Sequence, residues 1–467
     1  MTNVFYAIRA TWVAPVTMGD ANEIIDDGLV IWSLETGRIV RVCVYDPLFV
    51  PKGSDFVYLK NHLLIPGLIN CHTHSGMSLL RGFGDDMSLH EWLRECIFPI
   101  ESEFLPRSDF IETGTKLSIF EMLKTGTTMF VDSYYSSEIA ARVAHDSGIR
   151  IACGDTILDF QNGTLSGQIE RAFEVCTETT NQYDSDKVLS ILNPHACYTL
   201  PVEALESVAA IAIPSGTRVH IHLHESLEEC VRFEDSHCGR SAMELLQDVG
   251  LLNERLIAAH CVCVSEAERL LLAGAKVNVV HCPKSNLKLA SGVCPVQALI
   301  SLGVNVALGT DGAASNNSLS MISEMTTAAL IGKTVHGTSG TFTCQDDLSP
   351  ISKSTCGMGD ATAVTCHTVL RMATYNGAIA VGMVDKIGSI EVGKFADIVA
   401  IDLSSPECLP VFDPISALIY STGAVVSHVW IGGKIRVREQ QVLTVDLNYE
   451  LISKFTQELT LFRKTHV

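Results

Sequence analysis

"IPGLINCHTHSGMSLLRG", residues 65–82, joins an apolar run, a proline–glycine break and two histidines one residue apart. Strand residues two apart share a face, so His72 and His74 can aim two imidazoles at one point. Imidazole is the commonest metal ligand. A lone His-x-His is more often an ordinary pair of core or loop histidines, so its meaning depends on the rest of the chain.

The same kind of β-branched run recurs seven more times: "TTMFVDSYY" (127–135), "RIACGDTIL" (150–158), "KVLSILNPHACYT" (187–199), "RVHIHLHES" (218–226), "RLIAAHCVCV" (255–264), "KVNVVHCPKSN" (276–286) and "NVALGTDGAAS" (305–315). The first of the eight opens as "HLLIPGLINCHTH" (62–74). Most intervals carry helical patterns that end in glycine, such as "DFIETGTKLSIFEMLKTG" (109–126) and "SSEIAARVAHDSG" (136–148). Apolar strands alternating with helices imply a parallel sheet covered on both faces. Eight such units predict an α/β fold, a (β/α)₈ TIM-like barrel, whose active site lies at the C-terminal ends of its strands. That is where the ionisable residues fall. His72 and His74 end the first run, His195 the fourth, His222 and Glu225 the fifth, His260 the sixth, His281 the seventh and Asp311 the eighth. A shared pole marks these as a functional set.

The ends of the chain read differently. Residues 1–62 and 386–445 are short strands with turn residues, and together predict a small β-sandwich flanking a barrel over 63–385. Helical spacing of apolar residues predicts a C-terminal helix over 446–467. The Ser-, Thr- and Gly-rich stretch 337–362 reads as a long, lid-like loop.

Bulk properties narrow the class. The chain has 467 residues, 47% hydrophobic and 18% charged, which is ample for a large core. A net charge of −20 argues against nucleic acid and anionic membranes as partners. No apolar run is long enough for a membrane span, and the start lacks a secretory pattern, so the expectation is a cytoplasmic protein. Its sixteen cysteines then read as reduced, mostly buried thiols. The oligomeric state is left open, a homo-oligomer included.

His72, His74, a histidine of the fifth run and Asp311 make a donor set suited to one divalent ion, Zn²⁺ or Fe²⁺. Strict alternation puts His220, His222 and His224 on one face, so spacing does not choose among them. Two-metal barrels need a lysine ending the fourth strand; His195 stands there, which predicts one ion. A bound metal makes hydroxide available near neutral pH. Glu225 can then protonate a substrate, Asp311 can accept the water's proton, and His260 can hydrogen-bond the attacking oxygen or the oxyanion. His62, His90, His145, His237, His336, His367, His428 and His466 carry no such context.

"PGLINCHTHSGMSLLRG", "HIHLHES", "AAHCV", "HCPKSNLKLASG", "LGTDGAASNN" and the terminal "GSIEVGKFADIVAIDL" together resemble the amidohydrolase superfamily over nearly the whole chain. Within it the chain is most similar to the 5′-methylthioadenosine/S-adenosylhomocysteine deaminases. That resemblance implies metal ligation by His72, His74, His222 and Asp311, with Glu225 and His260 catalytic. It also implies that a purine nucleoside stacks on Trp92, places its ribose against Glu101 and meets His195. Other heterocycles (guanine, a pyrimidine, a chlorotriazine) and an inactive scaffold are the alternatives. Two departures bear on the pocket: Ser75-Gly76 after the second histidine, and the length of 337–362. Asp155 stands where the family's carboxylate-binding arginine is expected. Repulsion there implies a preference for methylthioadenosine or adenosine over S-adenosylhomocysteine.

Overall fold

The computed structural model describes residues 4–20, 22–159, 165–334 and 359–466. Nearly all of the stretch 337–362 lies outside the described residues.

The proline–glycine break divides the opening run between two sheets. β1 (Phe5–Val13), β2 (Ile25–Ser33), β3 (Ile39–Val44) and β4 (Asp55–Pro66) belong to a terminal sheet. β5 (Leu68–Thr73) starts the barrel one residue later. "HLLIP" is therefore not barrel strand, although its apolar pattern runs into the next element. After β5 come β6 (Thr127–Tyr134), β7 (Arg150–Ile157), β8 (Val188–Pro194), β9 (Arg218–Leu223), β10 (Leu256–His260), β11 (Asn278–His281) and β12 (Asn305–Leu308). These eight pair in sequence order, all parallel. Every residue of β5 and β6 is buried, as strands covered on both faces require.

Side chains help close the ring between its first and last strands. Asn70 donates to Thr310 Oγ1 (2.7 Å) and accepts from the Thr310 amide (3.0 Å), and the Asp311 amide donates to the His72 carbonyl (2.9 Å). Gly309 permits this approach, because a Cβ there would lie 2.8 Å from His72 Cβ. Substituting it would push β12 away from β5 at the level of the ionisable residues.

β13 (Ile398–Asp402), β14 (Val425–Ile431), β15 (Lys434–Arg438) and β16 (Gln441–Val442) complete the terminal sheet. It is one eight-stranded sheet, ordered β16-β15-β14-β13-β4-β1-β2-β3, that folds over itself. Trp32 and Trp430 meet at 6.0 Å between ring centroids, sharing a core with Ile8, Leu64 and Ile398. A buried bidentate pair, Arg150 to Asp397 (2.7 and 2.9 Å), ties this sheet to the barrel. Removing one partner of such a pair costs about 3–5 kcal/mol.

The chain ends in the helix Tyr449–His466, whose Phe455, Leu459 and Phe462 recur at helical spacing and are buried. Phe455 meets Phe110 edge-on at 5.3 Å, and Phe462 meets Phe104 at 6.2 Å. They brace the segment 89–104, which supplies one wall of the cavity described next. Every described cysteine is a free thiol, most of them buried, and no described helix is long and apolar enough to cross a membrane.

Candidate active site

Three imidazoles present the same nitrogen to one point because each has its other nitrogen occupied. His72 Nδ1 pairs with His220 Nε2 (2.9 Å), His74 Nδ1 with the Ser133 carbonyl, and His222 Nδ1 with the His195 carbonyl (2.7 Å). The free Nε2 atoms converge. Those of His72 and His74 lie 3.3 and 3.2 Å from Asp311 Oδ1, and those of His74 and His222 are 3.3 Å apart. Metal-ligating histidines are usually held in this way, by a hydrogen bond at the ring nitrogen that does not meet the ion.

β9 settles which of its histidines belongs to this group. His220 sits one layer lower and supports His72. The strand stops at Leu223, and His224 enters the left-handed region (φ 51°) and turns to Glu268, 3.5 Å away. His222 is left facing the cluster. Asp311 (φ 62°) and His260 (φ 73°) are also left-handed. Such strained conformations gather at functional sites.

Without an ion the cluster shares protons unevenly. Burial opposes charge on His74, but Asp311, the Ser133 carbonyl and Asp132 together raise it to about 9. Burial lowers His72 to about 4. The Asp311 carboxyl is held well below the usual range: burial opposes its charge, but His72 and His74 outweigh that. The buried His72 Nε2 has no hydrogen-bond partner. An acidic oxygen among converging imidazole nitrogens, one of them without a partner, fits a divalent cation, whose binding would displace the His74 proton.

Above this cluster lies a cavity with both polar and apolar side chains in its walls. Its walls include His74, His222, Asp311 and Glu225, with Trp92 and Glu101 from the segment 89–104, and His195 and Tyr198 after β8. Glu225 is 4% exposed. Its carboxyl is pushed up to about 8 by burial and by Asp311, with His74 opposing. The amides of His224 and Glu225 donate to the Glu229 carboxylate (3.2 and 2.8 Å), which fixes the turn carrying Glu225. His260 Nε2 lies 3.8 Å from Glu225 Oε2. Glu101 is 6% exposed, and burial raises its carboxyl to about 7 against the pull of the Tyr134 phenol and His74. His195 is lowered to about 3, chiefly by burial and then by the surrounding histidines, so it is neutral.

Residues 63–436 match the amidohydrolase family. The chain belongs to that family. It is 37% identical over 451 residues, 95% of each chain, to the 5-methylthioadenosine/S-adenosylhomocysteine deaminase of Teredinibacter turnerae. The deaminase of the same name from Pyrococcus furiosus is 39% identical over 442 residues, covering 92% of this chain and 99% of that one. Among solved structures, a zinc-bound adenosine deaminase from Xanthomonas campestris superposes with a TM-score of 0.86 at 35% identity, covering 98% of both chains.

As in other amidohydrolases, the site is assembled from the ends of strands far apart in sequence. Of the residues the sequence points to, His74, Trp92, Glu101, His195, His222, Glu225 and Asp311 line this cavity; His72 and His260 lie in the imidazole cluster without lining it, and His281 is buried without lining it. His260 also lies within ligand distance of His72 and His222, which spacing did not indicate. Asp132 and Tyr134 carry no sequence signal of their own, and His220, one of the three histidines that alternation leaves equivalent, supports His72. Ser75 gives its amide (2.6 Å) and hydroxyl (2.9 Å) to Asp132. A Cβ at Gly76 would meet the Tyr134 ring at 2.6 Å. The Ser75-Gly76 departure thus seats the loop after β5 against β6. Asp155 corrects the repulsion argument: its Oδ1 accepts from the Ser137 amide (2.7 Å) at the start of the preceding helix, Ser137–Ser147, and it does not line the cavity.

Proposed function

We propose that this amidohydrolase deaminates adenosine-type nucleosides, with one zinc ion held by His72, His74, His222 and Asp311. The observation that carries the reading is a buried carboxyl, Glu225, standing over a converging set of imidazole nitrogens in a cavity whose far wall holds Trp92 and Glu101. The donor set alone suits Fe²⁺ as well as Zn²⁺. The zinc in the adenosine deaminase relative supports zinc. The metal, when bound, makes hydroxide available from water near neutral pH.

The chain's own groups do the rest. Glu225, kept protonated by burial, donates to the ring nitrogen beside the amino-bearing carbon as that carbon is attacked. Asp311 takes up the proton released by the attacking water. Transfer of a proton to the amino group lets ammonia leave. Trp92 offers an apolar face to the purine, and Glu101 accepts hydrogen bonds from sugar hydroxyls. His195, neutral and tied at Nδ1 to Thr199 (3.1 Å), keeps Nε2 for the substrate. An inactive scaffold would lack ligands, and all four are present.

The cavity wall also bears on the 5′ substituent. Met77, Leu89, Leu93, Ile97 and Phe98 are apolar, and no lysine or arginine lines the cavity among the described residues. Arg94 and Arg232 line an adjoining cavity, which shares Leu93, Phe98 and Tyr198 with this one, and are paired with Glu95 and Glu228. A methylthio group finds an apolar wall, whereas an amino-acid carboxylate finds no cation there. A missing charge-assisted hydrogen bond of about 1.5–3 kcal/mol corresponds to roughly a tenfold to hundredfold loss of affinity. Ammonia release measured on methylthioadenosine, adenosine, S-adenosylhomocysteine and guanine tests both points. Methylthioadenosine or adenosine is expected to have the highest kcat/KM. S-adenosylhomocysteine ahead would reveal a cationic partner outside this wall, and turnover of guanine alone would overturn the nucleoside reading.

Glu101→Ala addresses the sugar. It is expected to lower kcat/KM on nucleosides while sparing a free purine base; an equal loss on both would make Glu101 structural.

A further inference from the structure

In the stretch "HCPKSNLKLASG", Ser285 and Asn286 have no part in the chemistry above, yet both are fully buried and neither lines the cavity. They lie on the short helix Pro283–Lys288, which follows β11 almost directly. From adjacent positions they reach two different strand ends. Ser285 Oγ donates to Asp311 Oδ2 (2.7 Å), and Asn286 Oδ1 lies 2.8 Å from His260 Nδ1. The helix is itself anchored. The Lys284 amide donates to the buried Glu324 (3.2 Å), which also accepts from Asn316 Nδ2 (2.7 Å), and that same Nδ2 donates to the Thr310 carbonyl (2.6 Å). Asn286 therefore has little freedom to move away from His260.

A carboxamide oxygen at Nδ1 requires a proton on that nitrogen. Neutral His260 is then the Nδ1–H tautomer, and its Nε2 carries a lone pair. That Nε2 is buried, has no hydrogen-bond partner, and faces the space shared with Glu225 and Asp311. We propose that Asn286 is a positioning residue that fixes His260 in this tautomer, so that His260 accepts a hydrogen bond from the attacking water and does not donate one to the oxyanion. The assignment rests on the deaminase reading and refines it: Asp311 removes the proton, and His260 orients the water that loses it.

Two variants separate this role from packing. Asn286→Asp keeps an acceptor at the same place, and Asn286→Leu removes it at similar volume. With methylthioadenosine as substrate, Asn286→Leu is expected to lose about 10²-fold in kcat, the scale of misplaced acid–base chemistry. Its KM and metal content should stay at the wild-type level, and Asn286→Asp should recover most of the rate. Nitrogen NMR of imidazole-labelled, metal-free protein, with the His260 signals assigned through His260→Gln, gives a readout independent of turnover. It should show His260 protonated at Nδ1 in the wild type and in Asn286→Asp, and no longer fixed so in Asn286→Leu. An Nε2-protonated His260 in the wild type overturns the proposal. So do equal losses in the two variants, loss of metal in Asn286→Leu, or wild-type kcat in Asn286→Leu. If the wild type turns over no nucleoside, the deaminase reading fails, while the tautomer remains measurable on the same sample.

Discussion

Replacing Asp311 or His72 with alanine is expected to take metal content from one ion per chain to near zero and turnover to background. In the proposed set each supplies one of four ligand atoms, and the second ring nitrogens of His72, His74 and His222 are already engaged and offer no replacement. In the proposed mechanism Asp311 also neutralises the cation and takes up the water's proton, so its loss would remove two functions together. The fold should survive. Asp311→Ala strands the buried Ser285 hydroxyl, a cost of about 1–3 kcal/mol, against a typical stability of about 5–15 kcal/mol. The Asp311 amide bond to His72 is backbone and remains. Elemental analysis of the purified variants beside an ammonia assay checks the expectation. Full metal in both variants, or two tightly bound ions in the wild type, would refute the ligand set.

Glu225→Gln should keep the ion and lose the rate. Gln has the same shape, and the Glu225 amide stays held by Glu229, so the substituted side chain occupies the same place. What disappears is a proton that burial and Asp311 keep on the carboxyl up to about pH 8. General acid catalysis is worth about 10²–10⁴-fold, so kcat should fall by at least about 10². Single-turnover measurements with metal content recorded on the same sample test this, and a near-normal kcat would remove Glu225 from the mechanism.

The barrel was legible because its strands are short, apolar on both faces and separated by helices, and because the ionisable residues all end strands. That placement points to His72, His74, His195, His222, Glu225, His260 and Asp311, and equally to His281, which does not line the cavity. The remainder depended on backbone events that periodicity does not encode. His220, His222 and His224 are equivalent by alternation, and only the end of β9 at Leu223, with the left-handed turn at His224, separates them. "HLLIP" carries a barrel-like pattern but pairs in the other sheet, because the chain breaks at Pro66-Gly67. Glu101 lies in the first turn of a short helix, a place where an acid gives no sign of burial, yet it is buried and lines the cavity. Asp155 lies close in sequence to Thr156 and Leu158, which line the cavity, yet it serves as a helix cap. Ser285 and Asn286 lie in a recognisable string, but their partners are on other strands.

The seam between β5 and β12 carries a consequence for how the protein acquires its ion. His72 and Asp311 stand on its two sides, so with the ligands proposed above the set would be complete only once the first and last strands have met. Metallation and ring closure are therefore coupled equilibria. An ion at about 1,000 times its dissociation constant favours the closed ring over an open sheet by about 4 kcal/mol. Loss of the ion weakens the molecule first at that joint, so a chelator acts on the architecture as well as on the chemistry.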